Sequence, residues 1–163
     1  GGLVVFAKTS KGLSRMNELF RRGEVQKRYW AIVTARPPKE SDTLEHYLVR
    51  NEQQNKSYVA QRPDRPGAKL ARLSYGLLAS GDRYHLVEVE LHTGRHHQIR
   101  CQLAAIGCPI RGDLKYGAAR SNPDGSISLL SRRTTFVHPV SGIALDLTAP
   151  VPDEPLWHAL SGE

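Results

Sequence analysis

The sequence predicts a single α+β domain in which strands outnumber helices and form a mixed sheet. Its 163 residues are enough for one domain with its own core. A hydrophobic fraction of 39% and a charged fraction of 24% are close to those of globular proteins. Hairpin patterns are more frequent than strand-helix-strand alternation, which indicates an α+β rather than an α/β arrangement. Two or three helices are expected beside the sheet.

The N-terminal region predicts a strand followed by a helix. Residues 2–8 are apolar and rich in β-branched side chains, a pattern typical of a buried strand. A helix is predicted from an N-cap at Thr9 or Ser10 to a stop at Gly23. Its apolar residues recur with helical spacing at Leu13, Met16, Leu19 and Phe20. This helix is expected to have an ordinary packing role.

A further strand is predicted over residues 25–35, where the side chains alternate in character. Residues 43–61 then predict short extended pieces, and the breakers in residues 62–67 predict a surface loop. The alternation in the strand assigns its apolar side chains to two faces. One face carries Tyr29, Ala31 and Val33, and the other carries Trp30 and Ile32.

The second half of the chain predicts two hairpins separated by a helix. Gly107 follows the last apolar residue of the helical pattern, as is typical of a helix stop. Breakers or turn residues separate the two strands of each hairpin. The hairpins pair residues 68–79 with 84–91 and 133–137 with 143–147, and the helix covers residues 97–106.

The net charge of +7 is concentrated in two segments. Residues 1–36 carry eight basic and two acidic side chains, and residues 92–133 carry seven and two. Folding could join these segments into one positive face for a polyanion such as nucleic acid. Sixteen of the 23 basic residues are arginine, which binds phosphate bidentately and stacks on bases. The alternative is a solvated basic surface with no partner.

Several classes of protein are excluded by what the sequence lacks. No apolar run approaches the roughly 18 residues that cross a bilayer, and no charged-apolar-small leader occurs, so a cytoplasmic protein without membrane contact is expected. Cys101 and Cys108 are too few for a disulfide framework and are expected to be buried thiols. Phosphate-binding loops of nucleoside triphosphate and dinucleotide enzymes, and the elbow of serine esterases, are missing.

The densest group of polar residues lies in residues 92–100, where a strand ends, Gly94 permits a turn and a helix begins. Donors near a helix N-terminus favour an anion such as phosphate or carboxylate. These donors are Arg95, His97, Gln98 and Arg100. Alternatively, Arg95 pairs with a carboxylate to hold the turn. A metal site at His92 and His96 is disfavoured, because no acidic residue completes a zinc pattern.

Two other polar positions each allow a functional and a structural role. Asp113, in the loop of residues 112–117, is a candidate acid, although an aspartate beside glycine more often forms a turn or cap. Tyr29 either packs in the core with its hydroxyl satisfied or offers its ring to a nucleobase. The residues alone predict a basic domain that faces nucleic acid and leave the reaction open.

The chain resembles the RluA-type family of pseudouridine synthases over nearly its whole length. The tandem of residues 93–100 and 107–117 is the most specific part of the resemblance. The segments that carry it are GLVVFAK at 2–8, KRYWAIV at 27–33, TGRHHQIR at 93–100, GCPIRGDLKYG at 107–117 and FVHPVSG at 136–142. The resemblance implies the pseudouridine synthase α+β fold, with a mixed, largely antiparallel sheet, and isomerisation of uridine in ribosomal or transfer RNA without a cofactor or metal.

The resemblance also implies roles for individual residues. Tyr29 is expected to pack on the target uracil and to assist proton removal at C5. Arg95 is expected to hold the catalytic aspartate of the family in its ionised form, since an adjacent cation lowers a carboxylate pKa. Expected RNA contacts are Lys27, Arg28, His97, Gln98, Arg100, Arg111 and Lys115.

The sequence departs from the family at its catalytic centre. The aspartate of the family lies in a His-Arg-Leu-Asp type of motif just upstream of the strand at residues 2–8, and that motif is absent. Residues 1–163 are therefore expected to be an N-terminally truncated catalytic domain that binds RNA weakly and is inactive alone. A non-catalytic RNA-binding module fits the same residues if the intact protein also lacks the aspartate.

Overall fold

A computed structural model describes all 163 residues of the chain. Three α-helices, one short 3-10 helix and seven strands make up the fold. The helices are α1 (Ser10–Arg21), α2 (Gln98–Ala105) and α3 (Pro155–Ser161), and the 3-10 helix covers Leu114–Tyr116. The strands are β1 (Gln26–Val33), β2 (Ser41–Asn51), β3 (Lys56–Val59), β4 (Lys69–Ser80), β5 (His85–Leu91), β6 (Leu129–Val137) and β7 (Ala144–Thr148).

All seven strands form one sheet in the order β3-β2-β4-β5-β1-β6-β7. Every neighbouring pair is antiparallel. The only parallel contact is an isolated bridge between Gly2 and Ser131. The predicted α+β class, the two hairpins and the largely antiparallel pairing are confirmed, while the parallel share of the sheet is limited to that bridge.

The two faces of the sheet carry separate cores, and β1 contributes to both. Ala31 and Val33 belong to the larger core, which includes residues of α2. Ile32 belongs to a smaller core together with Trp157 of α3, which is 2% exposed. The alternation predicted for β1 is therefore confirmed, and it explains why a strand so apolar along its length is buried on both sides.

Residues 2–8 do not form the predicted strand. Beyond the bridge at Gly2 they are irregular, and Val4 and Phe6 are 70% and 85% exposed. The reason lies in β6, whose outer edge pairs with β7 from Arg133 onward. Only the beginning of β6, near Ser131, leaves backbone groups free on that edge. The apolar, β-branched residues favour a strand, but residues 3–8 have no neighbouring strand with which to pair.

The predicted helices agree closely with the structure. The Thr9 hydroxyl caps α1 by accepting a hydrogen bond from the Gly12 N–H at 2.9 Å. None of the α1 side chains is fully buried, and Leu13 and Phe20 are 53% and 44% exposed, so this helix contributes little to the core. The third helix, α3, was not predicted from the sequence. No helix in the structure has the length and apolar character that crossing a membrane requires.

The prediction of buried thiols is confirmed for both cysteines. Cys101 and Cys108 are free and buried. Burial raises the pKa of Cys101 to about 11, because a thiolate is poorly solvated there. Both side chains therefore act as small apolar groups in the cores beneath α2.

Candidate active site

A cleft of about 530 Å³ lies between the C-terminal end of α1, the start of β1 and the turn that follows β5. Tyr29 and Lys27 of β1 line one side of it, and Thr93 and Gly94 line the other. The fold thus brings together two segments that are more than sixty positions apart in the chain. These are the same segments in which the sequence concentrates its basic excess.

Tyr29 is held in the cleft by strands on both sides of β1. It lies opposite Val89 of β5 and Ser131 of β6. The ring is half-buried, and burial raises the pKa of its hydroxyl above the ordinary value. The phenol is consequently uncharged at neutral pH, and the ring offers an aromatic face with one polar edge.

The turn after β5 is fastened by Gln98, which is 3% exposed. Its carboxamide oxygen accepts hydrogen bonds from the Thr93 hydroxyl at 2.8 Å and from the Arg95 N–H at 2.9 Å. Its amide nitrogen donates to the Arg72 carbonyl of β4 at 3.0 Å. Every polar atom of this side chain is therefore used within the protein, so Gln98 shapes the turn rather than facing a ligand.

Arg95 projects from this turn toward the start of β4. Its Nε–H donates to the Leu70 carbonyl at 2.8 Å, and the residue is exposed. No carboxylate forms a salt bridge with it, so the alternative in which a paired Arg95 holds the turn is wrong. Gln98 has that role, and the outer end of the Arg95 guanidinium stays open to a partner.

A buried ion pair fixes the helix that follows. Asp113, 1% exposed, accepts two hydrogen bonds from Arg100, at 2.8 Å from Nε and 2.7 Å from Nη2. This bidentate geometry joins α2 to the loop before the 3-10 helix. Arg100 also stacks over the Tyr116 ring at 4.9 Å. Asp113 is thus a structural anchor, which agrees with the turn role that the sequence left open for it.

His97 connects the same ion pair to Tyr116. Arg100 can only donate, and its Nη1 lies 3.1 Å from the His97 Nε2, so that nitrogen accepts. The neutral ring then carries its proton on Nδ1, which donates to the Tyr116 hydroxyl oxygen at 2.8 Å. His97 adopts a left-handed backbone conformation, with φ of 52°, as it begins α2. Its side chain is turned into the protein.

His97 is expected to stay neutral well below the pH at which histidines ordinarily ionise. Burial, followed by the charge of Arg100, lowers the pKa of His97 to about 4. By contrast, the hydrogen bond to Asp153 raises the pKa of the exposed His158. In an NMR titration of the histidine rings, His97 should be unprotonated at pH 5.5 while His158 is protonated. A His97 ring that titrates above pH 6 would contradict the arrangement.

The same shift gives a direction for stability. The unfolded chain binds a proton at a His97 pKa near 6.5, and the folded chain does so only near 4. Between these values the unfolded state holds more protons, so the free energy of unfolding increases with pH. The contribution of His97 is fully present above pH 6.5 and is lost as the pH falls through 4.

The two other histidines of this segment have separate partners. The His92 Nε2 is hydrogen-bonded to the Ser74 hydroxyl at 2.8 Å. The His96 ring is hydrogen-bonded through Nδ1 to the Ser57 hydroxyl and through Nε2 to the Asn55 side chain, both at 2.9 Å. No group of three or more His, Cys, Asp or Glu side chains is arranged to hold a metal ion.

The predicted RNA contacts are distributed widely over the molecule. Of those outside residues 92–100, only Lys27 lines the cleft. Arg28 points to the other face of β1, where it is hydrogen-bonded to Glu88 at 3.0 Å. Arg111 forms a salt bridge with Glu154 at 2.8 Å, and Lys115 donates to the backbone carbonyls of the β2–β3 turn.

Phe20 is a cleft residue that sequence reasoning missed. Its ring lines the cleft and lies 5.2 Å from the Lys27 ammonium group. The helical spacing of α1 predicted an ordinary packing role for it. No local pattern could have separated a packed ring from one that lines a cleft, because both satisfy the same spacing.

Comparison with known proteins decides the family. The sequence model described as RNA pseudouridylate synthase matches residues 1–105. The chain belongs to the RNA pseudouridylate synthase family. This confirms the resemblance found in the sequence. Both sides of the Tyr29 cleft fall within the matched residues.

Individual members of the family are similar along nearly the whole chain. An uncharacterized RNA pseudouridine synthase of Chloroflexus aurantiacus is 36% identical over 152 residues, which are 93% of this chain and 46% of that protein. Ribosomal large subunit pseudouridine synthase C of Rickettsia prowazekii is 31% identical over 153 residues, 93% of this chain and 50% of that protein. The chain spans about half the length of the curated relatives it matches.

A solved structure supports the fold. Human RNA pseudouridylate synthase domain containing 1 superposes with a TM-score of 0.74 over 94% of this chain and 65% of that one, at 22% identity. This likeness confirms the α+β architecture of the pseudouridylate synthase domain. It agrees with the seven-stranded sheet and its three helices.

Proposed function

We propose that the intact protein converts specific uridines to pseudouridine in ribosomal or transfer RNA in the cytoplasm, without a cofactor or metal. The observation that carries the proposal is the cleft that places Tyr29 opposite the Thr93–Gly94 turn, with Arg95 directly after it. Membership of the RNA pseudouridylate synthase family supports the same reaction. The ribosomal substrate has support from the name of the Rickettsia relative.

In the proposed reaction the bond from the ribose to N1 of uracil breaks, the base turns in the pocket, and the ribose is joined to C5. The target nucleotide must leave its stack to enter the cleft. Tyr29 packs on the uracil, and its uncharged hydroxyl assists removal of the C5 proton by relaying it. N1, released from the ribose, takes up a proton in turn, so that the reaction balances as an isomerisation. Lys27, on the same side of the cleft, provides positive charge for the phosphates.

Arg95 has the position of a residue that orients a carboxylate supplied by another segment. Its Nε is fixed by the Leu70 carbonyl, which leaves the two terminal nitrogens for a bidentate contact. Such a contact would lower the pKa of an aspartate and keep it ionised. We infer that this aspartate belongs to the part of the protein outside residues 1–163.

The other proposed RNA contacts divide into two groups. Arg28, Arg111 and Lys115 are the outward group, in which Glu88 and Glu154 already neutralise Arg28 and Arg111, so Lys115 contributes most of the charge for RNA binding. We infer that His97, Gln98 and Arg100 act indirectly, because their polar atoms are engaged inside the protein. They set the shape of the turn that carries Arg95.

The proposal is tested by tritium release from RNA labelled at C5 of uridine. The intact protein is expected to release tritium, and residues 1–163 alone are expected to release none while still binding the RNA weakly. Heat-denatured intact protein is the matched control. Turnover by the 163-residue chain would contradict the requirement for an aspartate outside it.

A second candidate is a non-catalytic RNA-binding module. It is favoured by the lack of a free carboxylate in the cleft. Glu90 is the only carboxylate that lines the cleft, and it lies 3.6 Å from the Arg28 guanidinium. Asp113 is buried against Arg100 and is not available to a substrate. Sequencing the segment directly upstream of Gly1 separates the two candidates, because only the enzyme needs an aspartate there.

A further inference from the structure

Six basic side chains around the β2–β3 hairpin form no salt bridge. Ten of the other 17 basic residues are paired with a carboxylate, as in the Arg72–Glu45 and Arg133–Asp146 pairs. An uncompensated group of this size creates a positive potential that attracts a polyanion. The six residues, here called the hairpin cations, are Arg50, Lys56, Arg65, Lys69, Arg95 and Lys115.

The pairing of the strands places the hairpin cations around the hairpin. Arg50 of β2 lies opposite Ser57 and shares its face of the hairpin, whereas Lys56 and Tyr58 of β3 alternate onto the other face. Lys69 of β4 lies opposite Leu48 of β2. The Lys115 ammonium group donates to the carbonyls of the hairpin turn at 3.2 and 3.0 Å. Arg50 and Lys69 thus lie on the face of the hairpin that carries Ser57, and Lys115 is bound at its turn.

A cleft of about 660 Å³ opens beside these cations, between the hairpin and the loop that follows β3. Tyr58 lines this cleft. It belongs to β3, the edge strand of the sheet, and 41% of its surface is exposed. The Lys56 ammonium group lies 5.0 Å from the ring centroid. Arg65 also lines the cleft, and the side-chain amides there come from Asn51, Gln54 and Gln61.

This combination matches the chemistry of single-stranded RNA. An exposed ring gives a nucleobase a surface on which to stack, and a nearby arginine binds the adjoining phosphate. The amide nitrogens can donate to the edges of an unpaired base, whereas the side-chain oxygens of Gln54 and Asn51 already accept from the Tyr58 hydroxyl and the Gln54 N–H. A protein partner would more often require an apolar centre, and this cleft has amides and cations instead.

We propose that the cleft at Tyr58 is a second RNA-binding site, which holds a single-stranded segment flanking the target uridine. One base stacks on Tyr58, and Arg65 binds its phosphate. Lys69 and Arg95 lie between the hairpin and the first cleft, because Arg95 is hydrogen-bonded to Leu70, the neighbour of Lys69. Val49 and Asn51 of the second cleft face the other side of β2, so the strand passes around the β3 edge. The choice of RNA as ligand rests on the proposed function, whereas the location of the site does not.

The test uses a 5′-labelled oligoadenylate of twelve nucleotides, which contains no uridine, and measures fluorescence anisotropy with the 163-residue chain. Tyr58→Leu is expected to weaken binding at least about fivefold, while Tyr58→Phe keeps the stacking surface and binds as the wild type does. Arg65→Gln is expected to reduce the slope of log affinity against log salt by about 0.7. Arg83→Gln, in the exposed turn between β4 and β5, is the matched control and should change neither quantity.

Three results with oligoadenylate would each overturn the proposal. They are wild-type affinity in Tyr58→Leu, equal loss in Tyr58→Phe, and no measurable binding of oligoadenylate by the wild-type chain. Failure of the proposed function looks different, because the intact protein would then release no tritium while Tyr58→Leu still weakened oligoadenylate binding. An RNA duplex that binds as tightly as the single strand and ignores Tyr58→Leu would also overturn the assignment.

Discussion

Replacing Asp113 with alanine is expected to lower the free energy of unfolding by about 3–5 kcal/mol. The substitution leaves the Arg100 guanidinium without its bidentate partner in a position where water reaches only a fifth of the side chain. A charge that is buried and unpaired costs more than the ion pair contributes when intact. Urea unfolding followed by circular dichroism measures the change. Asp113→Asn keeps the shape of the side chain, so its free energy of unfolding should lie between those of the wild type and Asp113→Ala.

The exposed pair of Arg133 and Asp146 provides the matched control. Its geometry is also bidentate, but about half of each side chain is exposed to solvent. Asp146→Ala should therefore change the free energy of unfolding much less than Asp113→Ala does. Equal losses for the two aspartates would show that burial of the Asp113 pair is not what stabilises this part of the fold.

Replacing Tyr29 with phenylalanine in the intact protein is expected to reduce tritium release by about 100-fold or more. The ring remains to pack on the uracil, but the hydroxyl that assists proton removal is lost, and such groups contribute about 10²–10⁴ in rate. Because burial raises the pKa of Tyr29, the phenol is uncharged at neutral pH and adds little to phosphate binding. The dissociation constant for RNA should therefore change less than about twofold, as measured by filter binding.

Two other variants separate the roles of the Tyr29 ring and hydroxyl. Tyr29→Leu removes both and should weaken RNA binding as well as turnover. Tyr84→Phe removes a hydroxyl from a half-buried tyrosine in another cleft and should release tritium at the wild-type rate. A Tyr29→Phe protein with the wild-type rate would restrict Tyr29 to a stacking role.

The fold was predictable wherever the side-chain pattern alone determines an element. The alternation along β1 and the capping sequence at Thr9 are local signals, and both are confirmed. Residues 2–8 failed because strand formation also needs a free edge, and β7 occupies most of that edge of β6. Helix α3 was missed because seven residues after a proline-rich segment give too short a periodic pattern.

The candidate site was predictable in its composition but not in the direction of its side chains. The sequence placed donors around the turn after β5, and the structure has them there. Gln98 and Arg100 nevertheless point inward, because buried polar groups must satisfy one another before any ligand arrives. Spacing along the chain does not show which of several adjacent donors will form hydrogen bonds inside the protein and which will remain free for a ligand.

His96 gives the two clefts a fixed separation. Its ring joins Asn55 in the hairpin turn to Ser57 on β3, while its backbone lies directly after Arg95. The ring also stacks on His97 at 3.8 Å. A strand that binds at the proposed Tyr58 cleft and passes around the β3 edge would therefore reach the Tyr29 cleft at a high effective concentration. With the distance between the Tyr29 and Tyr58 clefts fixed, two weak contacts can select an RNA strand by its length as well as by its bases.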